Sequence, residues 1–116
     1  MLMEYAQKYP KWGLHPVNLS PVPGRLFWQT LNERVWLVHT AMAYDCVYDA
    51  LSAKQRKFIE KNLLFDMADF IMNGYGDCKG NHEMFNRMHN HATWATSAVG
   101  MVGMTTGNQS LVRKAL

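Results

Sequence analysis

The pattern of apolar and polar positions divides the chain into a proline-broken start, two long helical stretches, a polar loop and a helix of small residues. Residues 1–9 read as the end of a helix. Residues 9–24 hold all four prolines. Proline removes a backbone donor and restricts the residue before it, so an extended connector is predicted there. From 26 to 51 there is neither Pro nor Gly. Leu31, Val35, Val38 and Met42 recur at helical spacing, with Trp36, Leu37 and Val47 off that stripe. A helix apolar nearly all round is buried nearly all round, so this one needs neighbours on several sides. Ser52 and Gln55 have the spacing of a capping box and should start the next helix, over 53–72. Its apolar stripe is Ile59, Leu63, Met67 and Phe70, widened by Leu64 and Ile71. Lys54, Arg56, Lys57, Glu60 and Lys61 fall on the early solvent side. Gly74 and Gly76 should stop it.

A polar loop follows over 73–90. A third helix is predicted over 91–106, with Gly107 as its stop and Asn108 capping a fourth. Ala92, Ala95, Ser97, Ala98, Gly100 and Gly103 make the third helix narrow. A glycine inside a helix costs roughly 1 kcal/mol against alanine, and close approach of a neighbouring helix is a reason to keep two. The order is buried helix, outer helix, polar loop, buried helix. It predicts an all-α fold of helical hairpins, one set inside and one outside, as in part of an α/α toroid or a solenoid. No sheet is expected. The lead-in is 1–25 and the hairpins occupy 26–116.

Composition adds limits. The 116 residues are 48% hydrophobic and suit one small domain. The formal charge is +3, with basic residues dispersed, which argues against nucleic acid and leaves an anionic sugar compatible. Cys46 and Cys78 allow one disulfide or two thiols, and no metal-type cysteine spacing occurs. Charges and a proline interrupt the first residues, unlike a secretory leader. The longest uncharged run, 88–112, is too polar for a membrane span. The last residues read as a fresh helix, an expectation that more chain follows.

The densest polar chemistry is His89-Asn90-His91, at the start of the small-residue helix. His89 and His91 do not share a helix face, and His82 adds no carboxylate or thiolate, so no metal is expected. Asn90 as a helix cap with His91 in the first turn is one reading. The other adds function: a helix start has free N–H groups and positive potential, so an amide and an imidazole there can hold a carboxylate and stabilise extra charge on it. Gln29 and Asn32 lie three apart beside Phe27, Trp28 and Trp36. They serve either local capping or recognition of sugar hydroxyls and carboxylate. Arg87 is either a solvated cation or a bidentate partner of a substrate carboxylate. Asp77 and Glu83 form no carboxylate pair of fixed separation. Tyr44, Asp45 and Tyr48 read as internal helix contacts.

Two blocks, "GRLFWQTLNERVWLVHTAMAYDCVYDALS" and "EMFNRMHNHATWATSAVGMVGMTTGN", resemble the alginate lyases of polysaccharide lyase family seventeen and, more broadly, the heparinase II/III-like α/α-toroid lyases. The resemblance runs from about Gly24 to the end. Its most specific parts are Asn90-His91 and the Phe27-Trp28-Gln29 block. The family form has Gly after the Asn-His pair, and here it is Ala92.

The resemblance implies a toroid followed by a β-sheet domain that is absent from these residues. It implies β-elimination on a uronate polymer without a cofactor. Asn90 and His91 would neutralise the carboxylate and stabilise the C5 anion, and such a His also serves as base for one epimer in related lyases. Gln29, Asn32 and Arg87 would bind sugar. The family's acid and base tyrosines have no match, since Tyr5, Tyr9, Tyr44, Tyr48 and Tyr75 fall in other segments. The expected partner is an acidic polysaccharide or oligosaccharide, together with the remainder of a longer chain. A periplasmic or secreted bacterial setting goes with the resemblance. A glycosaminoglycan lyase of the same fold and a non-catalytic helical sugar-binding or interaction module are the alternatives.

Overall fold

A computed structural model describes residues 1–17, 23–74 and 90–116. All its regular elements are helices: α1 (Leu2–Lys8), α2 (Thr30–Val47), α3 (Ala53–Ile59), α4 (Asp66–Asn73), α5 (Asn90–Thr106) and α6 (Gln109–Ala115). Short 3-10 turns follow α1 and α2, and a π-helical turn, Glu60–Phe65, joins α3 to α4 in one continuous rod. Among the described residues there is no strand, so the all-α expectation holds. No helix among them is long and apolar enough to cross a membrane. Tyr75, Gly76, Asp77, Cys78, His82, Glu83, Arg87 and His89 lie outside the described residues.

The α3–α4 rod forms where its pattern predicts. Ser52 Oγ accepts the N–H of Gln55 at 3.2 Å, and Gln55 Oε1 accepts the N–H of Ser52 at 2.9 Å, closing the capping box. Ile59, Leu63, Leu64, Met67, Phe70 and Ile71 are all buried. Gly74 ends the rod at φ 80°, a conformation that side chains disfavour. On its supposed solvent side, Glu60 instead accepts the hydroxyl of Tyr44, and Arg56 lies 4.2 Å over the Tyr48 ring. These contacts tie the rod to the end of α2.

α2 departs from its prediction in two ways. It starts at Thr30, not at 26, because the main chain of 25–26 turns back onto a side chain within α2. Its buried face is also not the predicted stripe. Met42 is 49% exposed, and Leu31, Val35 and Val38 are only half-buried. The buried residues are Thr30, Glu33, Arg34, Leu37, Thr40, Ala41 and Tyr44. Apolar residues on every side give the helix no preferred direction, so the polar partners decide which face turns inward.

α5 packs along α2 on one side and α6 on the other. Ala95, Ala98, Val99 and Val102 of α5 share one core with Leu37, Ala41 and Tyr44 of α2 and with the α3–α4 rod. α5 begins at Asn90, one residue earlier than predicted, and stops at Gly107 with φ 70°. Asn108 Oδ1 accepts the N–H groups of Ser110 and Leu111 and starts α6, as the pattern predicts.

The two helical glycines of α5 differ. A Cβ on Gly103 would lie 2.8 Å from the main-chain nitrogen of Val112, whereas one on Gly100 would lie 3.3 Å from the Ala115 methyl. Gly103→Ala must push α6 away, a loss of about 1–3 kcal/mol. Gly100→Ala gains helix propensity against a mild contact and should change stability by less than about 1 kcal/mol. Urea unfolding of the two variants side by side checks this contrast.

Candidate active site

α2 and α5 begin at the same end of the molecule. Arg34, in the second turn of α2, donates from Nη1 to the main-chain oxygen of His91 in the first turn of α5, at 3.0 Å. The positive ends of two helices thus come together. Asn90 is exposed and His91 half-buried. Asn90 Oδ1 accepts the N–H of His91 at 2.9 Å, a bond to the adjacent residue in place of the usual cap two or three residues on. Gln29 stands just before α2 in extended backbone, half-buried, with no side-chain cap bond. Its carbonyl accepts the N–H of Asn32 at 3.3 Å, and the Asn32 side chain is exposed. Four of the predicted residues therefore stand at the starts of α2 and α5. Arg87 lies outside the described residues.

Behind these helix starts lies a polar network that sequence reasoning missed. Glu33 is fully buried. Its carboxylate accepts the main-chain N–H of Arg25 at 2.7 Å, that of Leu26 at 3.0 Å and the Tyr9 hydroxyl at 3.1 Å. Arg25, 5% exposed, donates from Nη2 to the Tyr9 carbonyl at 2.7 Å and from Nε to the Trp12 carbonyl at 3.0 Å. It also pairs with Asp66 at 3.4 Å and lies 4.2 Å over the Tyr9 ring. The network fastens the segment that carries Gln29 to α1, α2 and the rod. Gly24 belongs to it, because a Cβ there would collide with the Phe27 carbonyl and with Glu33 Oε2.

Burial shapes the charges. It raises Glu33 to about 7, against the opposing pull of the Leu26 and Arg25 N–H groups and of Tyr9. It raises the Tyr9 hydroxyl too, with Glu33 adding to the shift. Arg34 is fully buried and drawn down to about 10, still a cation at neutral pH. A clue to these partners stood in the sequence. Glu33-Arg34 places two adjacent charges in a helix otherwise predicted to be buried, and Arg25 lies close by in the chain.

Comparison with known proteins converges on one group. A family model described as alginate lyase matches residues 3–116. An alginate lyase of Stenotrophomonas maltophilia is 44% identical over 116 residues, covering the whole chain and 15% of the relative. An exo-oligoalginate lyase of Saccharophagus degradans matches with the same identity and the same coverage. The chain therefore spans about 15% of the length of these curated relatives. It belongs to the alginate lyase family.

Proposed function

We propose that the protein carrying this chain is a polysaccharide lyase of family seventeen, cleaving alginate or oligo-alginate by β-elimination. Residues 1–116 would supply part of an α/α-toroid catalytic domain. The observation that carries this reading is 44% identity along the entire chain to two relatives named for alginate cleavage.

In the reaction a base takes the C5 proton of a uronate and the electron pair forms the C4–C5 double bond. The 4-O-glycosidic oxygen leaves and is protonated by an acid. The negative charge that builds on the carboxylate needs donors already in place. Asn90 and His91 at the positive start of α5 are suited to that role, and Gln29 and Asn32 at the start of α2 to holding sugar. Arg87, three residues before Asn90, is proposed as a further carboxylate ligand. The acid and base would come from residues beyond this chain.

The test is absorbance near 235 nm, where the new double bond absorbs, with alginate oligomers and the complete gene product. A rising signal is the expected result. A signal on heparan sulfate alone would move the substrate class, and silence on every uronate would overturn the lyase reading.

A further inference from the structure

We propose that Arg34 is a positioning residue of this site: a buried cation that fixes the main chain of His91 and adds a full positive charge behind the Asn90–His91 end of α5. The proposal rests on the lyase reading above.

Three observations carry it. Arg34 has no solvent exposure. Its Nη1 holds the His91 carbonyl, while Nε and Nη2 have no hydrogen-bond partner. Among the described residues no carboxylate lies within ion-pair distance of it. Its neighbour Glu33 faces the other way, occupied by Arg25, Leu26 and Tyr9. A guanidinium that served packing alone would be expected to have its donors satisfied, because buried unsatisfied donors and unpaired charge are destabilising. A methionine of similar length would fill the space without that penalty. The arginine instead leaves a net charge beside the helix end where the uronate carboxylate is proposed to dock. In a site shielded from water such a charge acts over several ångströms. It favours the state in which the carboxylate carries more charge than in the bound substrate, so it acts on the rate more than on binding.

The experiment compares the complete gene product with its Arg34→Met and Arg34→Lys variants, by alginate turnover at 235 nm and by thermal melting. Arg34→Met should melt at or above the wild-type temperature while kcat falls about 100-fold and KM changes less than about threefold. Arg34→Lys should recover roughly tenfold of the loss, since it keeps the charge but not the planar fork. An Arg34→Met protein that melts below wild type, or does not fold, makes Arg34 a structural residue and overturns the proposal. So does a stable Arg34→Met protein with wild-type kcat. An active wild type separates these outcomes from failure of the lyase reading, which a wild type silent on all uronates would bring down together with the proposal.

Discussion

Asn90→Ala and His91→Ala should each lower elimination by about 100- to 1000-fold while the helical circular dichroism stays intact. The magnitude is that of removing one preorganised donor from a developing oxyanion. Both side chains stand at the start of α5, where the main chain adds its own positive potential. Neither reaches into the core, since Asn90 is exposed and His91 half-buried. The structural loss is therefore small. Asn90→Ala removes one bond to the His91 N–H, about 1 kcal/mol. Turnover and melting temperature should thus separate. Near-normal turnover by either variant would remove that residue from the site.

The second large effect concerns stability. Glu33→Ala would leave two main-chain N–H groups and the Tyr9 hydroxyl without their acceptor, and Arg25 without the adjacent negative charge. A loss of about 3–5 kcal/mol is expected in urea unfolding. Glu33→Gln keeps the shape but turns an NH₂ toward one of the donors, at about 1–3 kcal/mol.

The same carboxyl gives stability a pH dependence of unusual sign. Its folded value, about 7, lies above the ordinary 4.5, so the folded state binds the proton more tightly. The stabilisation is complete below pH 4.5 and is lost as pH rises through 7, amounting to about 3 kcal/mol. Glu33→Gln should flatten that slope between pH 5 and 8. An unchanged slope would assign it to another group.

The sequence was most readable where one residue type does one local task. The Ser52–Gln55 box, the stripe of the α3–α4 rod, the stops at Gly74 and Gly107 and the cap at Asn108 all depend on neighbours within one or two turns. α2 was harder. Its apolar residues point in every direction, and its orientation follows from Glu33 and Arg34, whose partners lie on α1, in the lead-in and on α5. Periodicity within one helix carries no information about those contacts. The site was partly legible for the same reason. Asn90 and His91 could be placed at a helix start from the pattern alone. That Arg34 stands behind them depends on two helices beginning at one end, a fact of tertiary structure.

The π-helical turn at Glu60–Phe65 makes the rod sensitive to the number of residues in it. Five-residue closure takes up one extra residue per turn compared with an α-helix. Removing any one residue between 60 and 65 would let this stretch close as regular α-helix, with every local hydrogen bond restored. Everything downstream would then rotate by about 100°. Met67, Phe70 and Ile71 would leave the core, and the chain entering α5 would depart from another side of the rod. The local backbone would be more regular and the domain incorrectly assembled. A single codon deletion here should therefore be more damaging than most substitutions of the same residues.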